Sequence, residues 1–224
     1  MADDDRSPHD RVRIDRKRFV VGAGALVAGV AAAVAFGLRG GRRDQLPLGP
    51  LSTLASDFPV RSAEGAPPAT AADRWTIKVD GLVARPLTLT AADLAGLPRV
   101  TMTRDFHCVE GWTVDGVGWG GVRLAALLER VEPDAAASFV TFHAYDDVYR
   151  DSLTLAQSRE PSVVLADTLD GRPLPREHGG PVRLVVPSQL GYKNVKWVTR
   201  IELVDRAGAG YWEERGYPAD APIG

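Results

Sequence analysis

From Arg74 onward, apolar and polar residues fall into short blocks whose period changes along the chain. Trp75, Ile77 and Val79 alternate with polar neighbours and run into Asp80-Gly81, the pattern of a half-buried strand closed by a turn. Thr90 followed by Ala91, Ala92, Asp93 and Leu94 predicts a short helix with Thr90 as its N-cap. Val100 to Cys108 reads as an extended segment. Over Val122 to Val131 the period lengthens, and Leu124, Leu127, Leu128 and Val131 share one face of an amphipathic helix. Ser138 to Tyr145 is strand-like, and Ser162 to Leu174 reads as a hairpin around Asp170-Gly171. Val182 to Val186 and Lys196 to Val204 are two further apolar strands. Short helices interleaved irregularly with many strands predict an α+β domain with a mixed β-sheet, not a doubly wound array. There is no internal repeat, Gly-rich dinucleotide loop or P-loop.

The first part of the chain has a different texture. Residues 1–18 form a charged tail expected to be disordered. Phe19 to Leu38 is an uncharged apolar run long enough to cross a bilayer as a helix. Arg11, Arg13, Arg16, Lys17 and Arg18 precede it, against Arg39, Arg42 and Arg43 after it, so the expected orientation puts the C-terminal domain on the extracytoplasmic, periplasmic side. The run predicts a retained single-pass anchor in the cytoplasmic membrane; Ala33-Val34-Ala35 leaves a cleaved export signal as the competing reading. Arg16-Lys17-Arg18 resembles a twin-arginine export signal with lysine in place of the second arginine. Residues 39–54 read as a linker, and residues 55–224 as one folded domain.

Composition narrows the function. Of 224 residues, 45% are hydrophobic and 25% charged, which suits a globular domain, and a net charge of −2 supplies no basic field for nucleic acid. Cys108 is the single cysteine, so an internal disulfide and a Cys-rich metal motif are both excluded. An unpaired thiol in an exported domain is open to oxidation, which calls for a reason to keep it.

Two clusters carry the candidate chemistry. The first is Asp105-Phe-His-Cys-Val-Glu-Gly-Trp112 followed by Trp119-Gly-Gly-Val122. Taken alone, Cys108 reads as a small buried hydrophobe and His107 as a structural histidine, and neighbours on an extended segment point to opposite faces. The second cluster is His178-Gly-Gly-Pro-Val-Arg-Leu-Val-Val-Pro187 and Leu190-Gly-Tyr-Lys-Asn-Val-Lys-Trp-Val-Thr-Arg-Ile201. Glycines beside Arg183, Lys193 and Lys196 would let backbone N–H groups and cations approach an anion such as a phosphate; a tight loop with solvated basic residues is the alternative.

Together these runs (F-H-C-V-x-x-W, W-x-G-V, G-G-P-x-R-L-x-x-P and G-Y-K-x-x-K-W-x-x-x-I) resemble the molybdopterin-binding domain of the sulfite-oxidase-like oxidoreductases. That family includes the catalytic subunit of the periplasmic protein-methionine-sulfoxide reductase. The resemblance covers roughly residues 55–205, with the motifs in the same order. It implies a molybdopterin (Mo-molybdopterin) cofactor whose pterin dithiolene holds molybdenum, with Cys108 as the protein's cysteinate ligand and catalytic centre. A thiolate is a soft donor suited to a transition metal, and coordination removes its proton. By position, His178, Arg183, Gly191, Tyr192, Lys193 and Lys196 would grip the pterin and its phosphate. Arg61, in Phe58-Pro-Val-Arg-Ser62, resembles a cofactor-contacting arginine. Ala144 stands where the reductase has a cofactor-contacting threonine, leaving a backbone contact, and His178 replaces an asparagine. His107, His143, Tyr145 and Asp146 are the polar groups expected nearest the substrate.

The reaction this implies is two-electron oxygen-atom transfer on a small oxyanion or a sulfoxide-type substrate, with the hard chemistry carried by the cofactor. Electrons would pass to or from a separate partner, with a membrane haem protein the natural analogue. An exported cysteine-nucleophile enzyme is the competing class, but the Ser-His-Gly-Cys arrangement of cell-wall transpeptidases is missing. A metal-free anchored binding module of the same fold is the third.

Overall fold

The computed structural model describes residues 58–63 and 65–223. The expected tail (1–18), membrane helix (19–38) and linker (39–54) lie outside the described residues. Among the described residues, no helix is long and apolar enough to cross a membrane.

Two five-stranded sheets organise the domain. In the first, β1 (Thr76–Gly81), β2 (Leu87–Thr90), β5 (Phe139–Ala144), β6 (Arg150–Thr154) and β10 (Val198–Val204) take the order β2-β1-β10-β5-β6. The β1–β10 pair is parallel and its other pairings antiparallel, so the sheet is mixed. In the second, β3 (Arg99–His107) pairs with β4 (Thr113–Arg123), β4 with β7 (Val164–Leu169), and β7 with both β8 (Arg172–Pro173) and β9 (Arg183–Val185).

Local chemistry explains the helices. α1 (Ala91–Ala95) starts on a capping box: the Thr90 hydroxyl accepts from the Asp93 N–H while the Asp93 carboxylate accepts from the Thr90 N–H. α2 (Leu124–Val131) buries Leu124, Leu127, Leu128 and Val131 on one face, packing into the larger hydrophobic core. α3 (Leu155–Ser158) starts on a second capping box, between Thr154 and Gln157. The larger core joins α2 to the first sheet through Ile77, Val140, Phe142 and Ile201. A smaller core around Phe58, Val117, Trp119 and Leu174 lies against the second sheet.

The alternating β1 segment, the Thr90 cap, the extended run into Cys108, the amphipathic helix and the hairpin at Asp170-Gly171 all form where the sequence places them. β2, β4 and β6 are not announced by the pattern, and β4 also moves an expected boundary. Val122 and Arg123, read as the start of a helix, instead close β4, a long strand whose four glycines hide it from β-propensity. Three of them, Gly118, Gly120 and Gly121, serve close packing, and Gly116 takes a positive φ of 63°. A Cβ on Gly121 would sit 2.0 Å from the Leu165 carbonyl oxygen on β7.

Candidate active site

The sharp turn after β3 carries Cys108. Its N–H donates to the Trp112 carbonyl (2.9 Å), and its own carbonyl accepts from Gly111 (3.0 Å), which fixes the thiol at the head of the β3–β4 hairpin. The second motif approaches from the other side. Gly191 opens a 3-10 turn, Gly191–Lys193, and lies flat on Phe106. A Cβ at Gly191 would come within 2.5 Å of the Phe106 ring and 3.3 Å of the His107 carbonyl oxygen. Only glycine allows this contact, which closes the two clusters around one cavity of about 280 Å³. That is near the small end of ligand pockets.

The cationic side of the cavity is built rather than merely exposed. Arg183, buried on β9, donates from Nη1 to the His178 carbonyl (2.8 Å) and from Nη2 to the Asn194 carbonyl (3.2 Å). Its guanidinium lies 5.5 Å from the Phe106 ring centre and 5.2 Å from that of Trp119. The His178 ring packs at 4.8 Å on Phe58. Lys196 donates to the carbonyls of Arg61 and Glu177, each at 2.6 Å, pinning the segment from Phe58 to the loop. Arg61 pairs with Glu110 at 2.8 Å, and Trp112 Nε1 donates to the same carboxylate. Arg61, Arg183 and Lys196 therefore face one carboxylate, Glu110, leaving a net positive lining that favours an anionic ligand.

Burial pushes the Cys108 thiol up from its ordinary value; the nearby Glu110 charge adds to this, while Arg61 and backbone N–H donors oppose it. A raised thiol is a poor nucleophile near neutral pH. His107, its neighbour, has its ring Nδ1 2.9 Å from Thr113 Oγ1 and is not part of the cavity wall. Both facts oppose the cysteine-nucleophile reading.

Metal coordination would reverse the thiol's preference, because a bound cation stabilises the thiolate outright. Among the described residues, no group of three or more His, Cys, Asp or Glu side chains is placed to hold a metal. A metal at Cys108 must therefore bring most of its own ligands. That donor set, one soft sulfur beside an anion-seeking wall, fits an anionic cofactor that carries its metal.

The sequence-predicted residues divide between the cavity and its surroundings. Arg61, Cys108, His178, Arg183, Gly191, Tyr192 and Lys196 line the cavity together. His143 and Ala144 lie on β5, the first with Nε2 3.1 Å from Glu202 and the second fully buried. Tyr145 donates to the Ala66 carbonyl (2.8 Å) and meets Trp197 edge-on; the Asp146 carboxylate caps the Val148 N–H. Lys193 points away from the cavity. Its ammonium is buried between Asp151 and Glu213, at 2.9 Å from the latter. Tyr149, Asn194, Trp212 and Tyr217 line the cavity without having been singled out. Trp212 and Tyr217 lie in an aperiodic C-terminal stretch, where only the density of aromatic residues marks them.

A family profile described as the oxidoreductase molybdopterin binding domain matches residues 64–212. The chain belongs to this family of molybdopterin-binding oxidoreductases. It is 34% identical over 173 residues to a protein of Azospira oryzae named as protein-methionine-sulfoxide reductase subunit YedZ1, covering 76% of this chain and 65% of that one. It is 32% identical over 169 residues to the uncharacterized oxidoreductase YuiH of Bacillus subtilis (75% of this chain, 84% of that one). It is also 32% identical over 155 residues to the protein-methionine-sulfoxide reductase catalytic subunit MsrP of Xanthomonas axonopodis pv. citri (62% and 48%). The chain thus spans just under two thirds of the first of these relatives and about half of the third. Among solved structures, the sulfane dehydrogenase SoxCD of Paracoccus pantotrophus shares the fold, with a TM-score of 0.58 at 23% identity over 76% of this chain and 57% of that one.

Proposed function

We propose that the protein is a molybdenum-cofactor-dependent oxidoreductase that transfers one oxygen atom, with two electrons, on a sulfoxide-type or small oxyanion substrate. The observation that carries this reading is the convergence of one half-buried thiol and a net cationic wall in a single cavity, with no group of three or more protein metal ligands among the described residues. When bound, the cofactor supplies the metal at which oxygen is transferred. Cys108 acts as the protein's ligand to that metal. Arg183, Arg61 and Lys196 would offset the negative charge of the cofactor's phosphate and dithiolene, and His178, Gly191 and Tyr192 would line its place in the cavity. Lys193 serves one step back, holding the Gly191–Lys193 turn in place through Asp151. The relatives named as methionine-sulfoxide reductases favour a sulfoxide over an oxyanion.

The assay follows from the two directions open to such a centre. Holoprotein made in a host that synthesises the cofactor should oxidise reduced viologen dye when given an organic sulfoxide. Loss of this activity alongside robust sulfite oxidation would reverse the direction of transfer, and absence of both in metal-loaded protein would contradict the reading. A separate electron carrier is part of the proposal, with a membrane haem protein as the analogue.

Placement is proposed on the sequence alone: residues 19–38 hold the domain at the outer face of the cytoplasmic membrane. A C-terminal reporter fusion should be active only outside the cytoplasm, and the membrane fraction should hold the chain. Recovery of the full-length chain in the soluble cytoplasmic fraction would contradict this.

A further inference from the structure

The cavity has a second wall whose chemistry differs from the first. Every charged residue of the lining belongs to the side formed by the Phe58–Ser62 segment, the Cys108 turn, β9 and Lys196. Another part of the lining is a run of Tyr149, Tyr192, Trp212 and Tyr217, without a charge among them. Their rings interlock. Trp212 and Tyr217 meet edge-on at 5.2 Å, and Tyr192 and Tyr217 at 5.7 Å. Two of the three hydroxyls are turned into the protein: Tyr149 donates to the Tyr192 carbonyl (2.6 Å) and Tyr192 to the Pro218 carbonyl (2.7 Å). Most of what these side chains offer the cavity is ring surface.

Half of this wall comes from the C-terminal stretch after β10, and that stretch is fastened down. Glu213 bridges the Lys193 ammonium (2.9 Å) and the Gly210 N–H (2.8 Å). Tyr211 N–H donates to the Arg150 carbonyl on β6, and Arg150 in turn reaches the Ala209 carbonyl and Glu214. Further on, the Leu190 N–H donates to the Ala221 carbonyl, so the same stretch also braces the loop that carries Gly191. A segment tied at both ends holds Trp212 in a fixed position relative to Cys108.

We infer that Trp212, backed by Tyr217, is a specificity-determining residue that selects neutral substrates with an apolar substituent over small oxyanions. This rests on the reading that Cys108 holds the metal in this cavity. The cationic wall is the place for an anionic ligand; the aromatic wall has no charge to set against that of an oxyanion and strips part of its water, which costs free energy. An aryl or alkyl group flanking a sulfoxide loses nothing there and gains ring contact.

The test uses full-chain holoprotein and two ligands, methyl phenyl sulfoxide and sulfite, measured by calorimetric binding and by turnover. Trp212→Ala should weaken methyl phenyl sulfoxide binding by about tenfold or more and raise KM in the same proportion, with kcat within about twofold and molybdenum content unchanged. Trp212→Phe, which keeps a ring, should stay within about threefold, and sulfite binding should respond to neither variant. Tyr217→Ala, at an exposed position, should weaken sulfoxide binding in the same direction and serves if Trp212→Ala fails to fold. The inference is overturned if wild-type protein does not bind methyl phenyl sulfoxide, if its binding is indifferent to both alanine variants, or if sulfite binding falls equally. If sulfoxide binding depends on Trp212 but the protein turns over neither ligand, the wall stands and the proposed reaction falls.

Discussion

Replacing Cys108 by Ser should lower turnover at least about 100-fold while leaving the fold intact. Loss of an outer partner of a metal ligand typically costs about 10–100-fold, and here the ligand itself is changed. Serine keeps the volume and the turn, whose hydrogen bonds to Trp112 and Gly111 are made by the backbone, so folding should not suffer. What changes is the donor: an alcohol is a far weaker acid than a thiol, and its alkoxide is a harder ligand that suits the metal less well. The visible absorption of the holoprotein should change with the ligand, while thermal unfolding stays close to that of wild type. Wild-type turnover with an unchanged spectrum would remove Cys108 from the metal.

The second large effect concerns stability rather than chemistry. Lys193 is 1% exposed and its ammonium is held by Asp151, also buried, and by Glu213. Lys193→Met keeps the length of the side chain but strands two carboxylates, and breaking a buried pair in this way costs about 3–5 kcal/mol. For a domain of this size that corresponds to a fall in Tm of about 6–20 °C. The deficit should also depend on pH. Burial pushes the Asp151 carboxyl up to about 6, against an ordinary value of 3.8, while Lys193 holds it down. A carboxyl raised in the folded state supports folding most at low pH, and that support is lost as pH rises through its folded value. Without Lys193 the folded value climbs further, so Asp151 costs more stability at neutral pH. Glu213 is depressed in the folded state despite burial, by the Gly210 N–H and by Lys193. Its contribution is present above the ordinary carboxylate range and lost as pH falls, and it shrinks when Lys193 is removed. Both carboxylates therefore act in one direction: the Tm gap between wild type and variant should be wider at pH 8 than at pH 5. An equal gap at both pH values would show that the lost charge contacts are not its source.

The elements that could be read from the chain are those whose burial is one-sided. β1 buries Ile77 and Val79 and exposes their neighbours, and α2 buries every fourth or third residue, so each leaves its period in the sequence. β4 leaves none, because its glycines are selected for close approach to β7 and not for a hydrophobic face. β6 is hidden for a different reason: it buries Asp151 and Ser152, which the distant Lys193 and the cross-strand Thr141 respectively make tolerable. The site follows the same division. Cys108, Arg183 and Gly191 sit in local motifs and come together in one cavity, as the family resemblance implies. Lys193 shares the motif but not the destination, since its partners lie on β6 and near the C-terminus, far away in sequence. Trp212 and Tyr217 reach the cavity by tertiary contacts alone, and no periodicity announces them.

Molybdenum and pterin content are the most direct measure of the account. Full-length protein purified from a host that completes cofactor synthesis should carry close to one molybdenum and one molybdopterin per chain, and both should fall when Arg183 is replaced by Ala. Well-folded wild-type protein free of both, from a host that loads a known molybdoenzyme under the same conditions, would contradict it.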